Sequence, residues 1–254
     1  MARGLNKVLI IGFAEEAPGV RHTAHGQAVS VFNVSTRRYW TTNSGETREA
    51  DEWFSVVAWG ELATLAQAEI KRGQRVFVEG SLQTRAWEDA KAQRHCRTEV
   101  LASRLILVDG RRPETAPDGP TRNRSMPHCL NQAMAIGNLG RDPAMRYTPD
   151  GQAVTSFSMA ATHTRISEDG ARRDSTEWFN VISWGSLAEI CSQYLSRGRR
   201  VYVEGELRTR GWEQADGVKR FRTELVASEM ILLGPRPRPR PETETLESKR
   251  EATT

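Results

Sequence analysis

The chain has 254 residues, 38% hydrophobic and 27% charged, with a net charge of +4. No apolar run approaches the ~18 residues of a membrane span, and the N-terminal stretch has no apolar core followed by a cleavage site, which argues against membrane-spanning and secreted classes. Cys96, Cys129 and Cys191 are odd in number and far apart, without CxxC spacing, so they are expected to be free thiols in a cytoplasmic protein; the small positive balance is compatible with a polyanionic partner.

The chain matches itself without a gap at a shift of 125 residues, from Leu5/Leu130 to Val108/Leu233, with about 40 of the 104 aligned pairs identical. The longest echoes are GQAV at Gly26 and Gly151, EWF at Glu52 and Glu177, VxVEG at Val76 and Val201, TRxWE at Thr84 and Thr209, and RTE at Arg97 and Arg222. A unit of that length is a duplicated domain and not a solenoid repeat.

In chain order, residues 8–13 form an apolar run and residues 27–36 alternate, with Ala28, Phe32 and Val34 on one parity. A turn at Asn43-Ser44-Gly45 leads to a strand over 53–59. Residues 61–71 place Leu62, Leu65, Ala66 and Ile70 at helical spacing, with Gly73 as the expected stop. Two more strands follow over 76–87 and 97–108. The second copy repeats the order, with Leu187, Ile190, Cys191, Leu195 and Gly198 in the helix region. Five strands with one helix between the third and fourth describe an OB-fold, a five-stranded Greek-key β-barrel. The expectation is an all-β chain of tandem OB-folds: domain 1 over 1–110, a linker over 111–127, domain 2 over 128–234, and a Pro/Arg-rich then polar, disordered tail over 235–254.

In the third strand Trp53 and Trp59 lie an even number of residues apart and share one face, while Phe54, Val56 and Ala58 share the other. Trp178 and Trp184 repeat this around Phe179. Either the tryptophans are exposed and the phenylalanines fill the barrel, or the reverse; a small interior is more easily filled by Phe, Val and Ala. In TRxWE, Arg85 and Arg210 share the parity of Trp87 and Trp212, an arrangement in which a guanidinium takes a phosphate and an indole takes a base, although surface packing alone also accounts for the pair. Further basic residues fall at hairpins and strand starts: Arg37, Arg38, Arg48 and Arg75 in copy one, and Arg172, Arg173, Arg199 and Arg200 in copy two. Singly these are ordinary solvated arginines; as a set they form a positive groove along a backbone.

The segments LNKVLIIG, DPAMRYTPDGQAV, TEWFNVISWGSLAEICSQYLSRGRRVYVEGELRTRGWE and FRTELVAS, with EWFSVVAWGELA and VFVEGSLQTRAWE in copy one, resemble the bacterial single-stranded DNA-binding proteins, over roughly residues 3–110 and 128–234. The resemblance implies sequence-independent binding and protection of single-stranded DNA in replication, recombination and repair, near the nucleoid. It implies base stacking on Trp40, Trp53, Trp59 and Trp87 and, in copy two, on Trp178, Trp184 and Trp212, where Arg165 stands in place of Trp40. It also implies a homodimer presenting four barrels, since most members with one barrel form tetramers and those with two form dimers. The family's acidic, Phe-terminated tip has no counterpart in the closing Ser-Lys-Arg-Glu-Ala-Thr-Thr, so replication and repair partners do not carry over.

Catalysis is not expected. His22, His25, His95, His128 and His163 lack ligand spacing, Glu79 and Glu204 read as strand carboxylates, and no cofactor or metal site emerges. Two binding alternatives stay open: an RNA-binding barrel, which shares the stacking chemistry, and an assembly platform that binds no nucleic acid.

Overall fold

The computed structural model describes residues 4–42, 45–88, 94–111, 129–166, 172–213 and 219–234. The tail from 235 and the linker from 112 to 127 lie outside them. Copy one contains β1 (Leu5–Ala14), β2 (Val20–His22), β3 (Ala28–Thr41), β4 (Thr47–Trp59), α1 (Glu61–Glu69), β5 (Gln74–Glu88) and β6 (Arg94–Arg111). Copy two repeats them as β7 (Leu130–Leu139), β8 (Ala144–Tyr147), β9 (Ala153–Ile166), β10 (Arg172–Trp184), α2 (Gly185–Tyr194), β11 (Arg200–Glu213) and β12 (Lys219–Leu233).

In copy one, β3, β4, β6, β5 and β1 are hydrogen-bonded in that order, and β1 also pairs β3, which closes the barrel. The pair β4–β6 is parallel and the other barrel pairs are antiparallel. Copy two closes through β7–β9 with β10–β12 parallel. Both domains are OB-folds, five-stranded mixed barrels with one short helix. The sequence reading missed β2 and β8, which flank the barrels on β3 and β9; strands of three and four residues carry too little alternation to stand out.

Each interior is filled by one parity of every strand. Val8, Ile10, Phe32, Val34, Phe54, Val56, Val76, Val78 and Leu82 are buried in copy one, and Ala133, Ala135, Phe157, Met159, Phe179, Val181, Val201, Val203 and Leu207 in copy two. The second copy is smaller at 133 and 135 and larger at 139, 159 and 225, where Leu139, Met159 and Leu225 stand for Ala14, Val34 and Val100, a volume-conserving exchange of the kind cores tolerate. Glycine recurs where barrel strands approach too closely for any side chain: a methyl group at Gly205 would collide with the carbonyl oxygen of Val226, and one at Gly80 with that of Leu101.

The helix regions keep the expected Ala66, Ile70, Cys191 and Leu195 in the core but depart from the expected pattern elsewhere. Ala63 and Ala66, and Ala188 and Cys191, face the core, whereas Leu65 and Ile190 are exposed. The helix packs so closely against the barrel that small residues take its inner face. Gly73 is not the helix stop either. α1 ends at Glu69 with Ile70 extended, and Gly73, at φ 75°, makes the next turn and donates its N–H to the carbonyl of Ala14, 2.7 Å away.

The two barrels are joined directly. β1 pairs antiparallel with β7, from Leu5↔Ile136 to Ile11↔Leu130, so one twelve-stranded sheet runs through both copies. Val8 pairs with Ala133, its own equivalent at the 125-residue shift, and a pseudo-two-fold axis therefore passes through that pair. Two further bonds obey the same axis: Thr84 N–H donates to Glu177 Oε2 and Thr209 N–H to Glu52 Oε2, each at 3.0 Å. The EWF and TRxWE echoes thus meet across the copies. β1 and β7 thus satisfy each other's outer edges within one chain.

Candidate nucleic-acid interface

β4 carries opposite parities to opposite places. Phe54 is 6% exposed and Phe179 3%, inside the barrels, while Trp53 is 58% exposed and Trp178 55%. Trp59 and Trp184 are also exposed. In the β3–β4 register Trp53 stands opposite Ser35 and Trp59 opposite Val29, with exposed Val31 opposite Val57 between them. These rings share the barrel exterior, in agreement with the reading that placed Trp outside and Phe inside.

Trp40 belongs elsewhere. β3 and β4 continue past the barrel as a two-stranded ribbon in which Trp40 pairs with Arg48, on the parity opposite to Trp53. The Arg38 guanidinium lies 4.1 Å from the centre of the Trp40 ring, within cation–π range. Trp40 is therefore one element of a second face, with Arg38 and Arg48. Arg165 and Arg173 are opposite each other at the corresponding place in β9–β10; their side chains lie outside the described part, as does that of Trp87.

Arg210 and Trp212 share a face of the β11–β12 ribbon with Arg222, which pairs with Arg210 and stands 5.8 Å from the Trp212 ring centre. Arg222 also bonds Glu224, which is buried. In copy one Arg85 is exposed opposite Arg97. In copy two the cation beside the Trp212 ring is thus Arg222, from the RTE echo, while Arg210 of TRxWE shares its face by register.

The other arginines separate into distinct environments. Arg37 is held by Asp51 through two bonds of 2.6 and 2.8 Å, with Glu49 at 3.7 Å; the Asp51 hydrogen bond raises its pKa above the ordinary guanidinium value. Its charge is spent within the ribbon. Arg48 pairs with Glu46 at 3.1 Å on the exposed hairpin. Arg75 and Arg200 sit at the opposite ends of β5 and β11 from the TRxWE segments, beside Phe13 and Asn138. Ten residues separate Arg75 from Arg85, about 33 Å along a strand at ~3.3 Å per residue.

Three contributors escaped the sequence reading of the site, whereas Arg38 was already among the basic residues named with Arg37 and Arg48. Arg222 was visible only as part of the RTE echo, and the β11–β12 register sets it against Arg210. Phe221, on β12 opposite Gly211, is 65% exposed; Cys96 occupies the matching place in copy one, so the repeat gave no signal. Gly140 lies beneath the Trp178 ring, where a methyl group would strike the indole. Glu15 is its counterpart.

Glu52, beside Trp53, has its pKa raised by burial, opposed by the Thr209 N–H it accepts. Burial also raises the Cys191 thiol. Among the described residues no three His, Cys, Asp or Glu side chains converge as metal ligands, and no helix is long and apolar enough to cross a membrane. The chemistry assembled on the exterior is that of rings and cations.

Comparison with known proteins points the same way. The family model described as the single-strand binding protein family matches residues 5–108 and 130–233, the two barrels. The single-stranded DNA-binding protein of Thermus aquaticus is 34% identical over 227 residues, covering 89% of this chain and 84% of that protein. That of Deinococcus radiodurans is 33% identical over 231 residues, covering 91% and 76%. The crystal structure of the wild-type Thermus aquaticus protein superposes with a TM-score of 0.70 at 28% identity, over 96% of this chain and 100% of that one. With both barrels matched, the chain belongs to the single-strand binding protein family.

Proposed function

We propose that this chain binds single-stranded DNA by stacking bases on Trp53, Trp59, Trp178, Trp184 and Trp212, with Arg85, Arg210 and Arg222 taking the phosphates and Trp40 with Arg38 and Arg48 extending the path along the β3–β4 ribbon. Membership of the family makes the chain a non-catalytic protein that binds and protects single-stranded DNA without regard to sequence. The observation that carries the assignment of residues is the pair of open tryptophans on β4 and on β10, with the intervening Phe54 and Phe179 inside. A ring whose face is open to water accepts any base, because every base has a π-face. Arg37, neutralised by Asp51, supports the ribbon and does not bind phosphate. Arg75 and Arg200 lie far along their strands from Arg85 and Arg210 but share a cross-strand row with Trp53, through Phe13 and Ser35, and with Trp178, through Asn138 and Ala160, so in this reading they take phosphates at that end of the path. In this reading domains 1–110 and 128–234 act as one unit, in the cytoplasm at the nucleoid.

The functional particle is a homodimer with four barrels. Its support is the outer surface of the sheet formed by β5, β1, β7 and β11, where Leu9, Ile11, Met134 and Ile136 are half-buried and Ile106 and Ile231 exposed along the neighbouring strands. At ~4–16 nucleotides per OB-fold, four barrels occlude roughly 16–64 nucleotides. Titration of tryptophan fluorescence with oligothymidylate of increasing length tests both points: quenching is expected, with stoichiometry changing once the oligonucleotide exceeds one site. Tight binding without quenching overturns the stacking assignment.

A further inference from the structure

The outer face of the central sheet is alike in backbone in its two halves and unlike in charge. In copy one it presents Lys7, Glu79 and Arg104; at the equivalent positions copy two presents Gln132, Glu204 and Glu229. These residues point the same way: Glu79 pairs with Leu9 and Arg104, Lys7 with Met134, and Glu204 with Met134 and Glu229, all on the parity opposite to the buried Val78, Val8 and Val203. Lys7 and Glu79 form an ion pair at 2.8 Å, leaving exposed Arg104 as the excess charge of that half. Glu204 is bonded instead by two neutral donors, the Tyr202 hydroxyl and the Gln132 amide. Among the described residues neither Glu204 nor exposed Glu229 has a cationic partner. Arg75 and Arg200 occupy equivalent places and cancel from the comparison. One half carries +1 (Lys7, Glu79, Arg104) and the other −2 (Glu204, Glu229), around an apolar strip of Ile11, Phe77 and Ile106 on one side and Ile136, Tyr202 and Ile231 on the other.

Resting on the homodimer reading, we infer that a second copy of this chain docks on this face in one of two backbone-equivalent arrangements, with the Arg104 half of each chain over the Glu229 half of the other. The pseudo-two-fold through Val8 and Ala133 makes the halves interchangeable in shape, so shape alone does not choose between basic on acidic and like on like. Charge does. Stacking like halves opposes Arg104 to Arg104 and leaves four unpaired carboxylates together, whereas opposing the halves lets each Arg104 meet the carboxylates of the partner. Like-charge juxtaposition is the device by which interfaces reject a wrong arrangement.

The test is sedimentation equilibrium of the full chain at low salt with R104E, with E229R, and with the double variant R104E/E229R, each residue being exposed and outside the core. Each single change is expected to raise the dimer dissociation constant by about tenfold or more, and the double change to recover a large part of that loss, since it restores an opposed pair at 104 and 229 with the signs exchanged while Glu204 stays in place. Thermal melts of the same samples separate loss of association from loss of fold, and K7E, which reverses a different charge of the basic half, repeats the test if R104E does not fold. Singles that associate as the parent does, or a double no better than either single, overturn the arrangement while leaving a dimer. A parent that sediments as a monomer at every concentration overturns the homodimer itself.

Discussion

Set side by side, the two copies share a backbone, a pattern of burial and the open tryptophans of β4 and β10, but not the rest of the surface. Phe32 and Phe157, Phe54 and Phe179, Val76 and Val201 are identical pairs inside the barrels. Outside, Trp40 corresponds to Arg165, Glu15 to Gly140, Cys96 to Phe221 and Arg104 to Glu229. Interior positions are constrained by close packing, in which even a methylene is felt, whereas exterior positions answer only to what they touch. The difference teaches that the two barrels are one folding solution carrying two distinct surfaces.

The largest effect expected from this contrast is on stability. Phe54→Ala should cost about 3–5 kcal/mol, and calorimetry should show the transition of copy one moving well below that of copy two. Trp59→Ala, on the same strand but outside, should melt near the parent. If the tryptophan variant unfolds early and the phenylalanine variant does not, inside and outside are assigned backwards.

Binding comes next. Removing Trp53 or Trp59, or Trp178 or Trp184, should weaken oligothymidylate binding by about 1–3 kcal/mol for each platform lost, measured by fluorescence or calorimetric titration. Equal losses at corresponding sites mean that both copies bear the strand; a loss confined to one copy means that the other has become chiefly structural.

A smaller effect tests the unequal positions. Arg165→Trp should strengthen binding by copy two, and Trp40→Arg should weaken copy one toward it. Gly140→Ala forces the Trp178 ring off its bed, and the expected result is a shifted emission maximum and an affinity loss of about 1 kcal/mol or less, below that of deleting the ring. No change in emission would mean that the glycine does not position the indole.

The smallest is a titration. The hydrogen bond to Glu204 pushes the Tyr202 phenol up to about 12, while the same bond holds the Glu204 carboxyl below its ordinary range. The raised phenol contributes stability that is complete below its ordinary pKa of about 10 and is lost as pH rises through 12. The lowered carboxyl contributes stability present above the ordinary carboxylate range and lost as pH falls through its depressed value. Ultraviolet titration should show one late tyrosine that returns to the ordinary range in Glu204→Gln. Phe77, at the matching place, gives copy one no such signal.

Much of this was legible in the sequence because a strand has a period of two. The alternation of Trp53, Phe54 and Val56 put the rings on one face and the aliphatic residues with Phe on the other, and the small barrel interior favoured Phe as the inner residue. The helix was read correctly as an element and for most of its face, since Ala66, Ile70, Cys191 and Leu195 are buried as expected, but Leu65 and Ile190 look like core residues and are exposed, the close approach of helix to barrel giving the inner face to Ala63 and Ala188. The neutralisation of Arg37 by Asp51 depends on the β3–β4 register, and the Glu52 and Thr209 contact joins residues 157 apart. Pairings of that range leave no local pattern. Both members of that contact were seen only as echoes.

The strand pair at the pseudo-axis has a consequence for how the molecule can change. Where a true two-fold pierces a sheet between identical chains, each residue on the axis faces a copy of itself, and any substitution there is made on both sides at once. Here the facing residues are Val8 and Ala133, encoded separately in one chain. A large side chain can stand against a small one at the seam, and a loss on one side can be repaired on the other, so the junction is free to tune its volume in single steps that a symmetric pair can take only in twos.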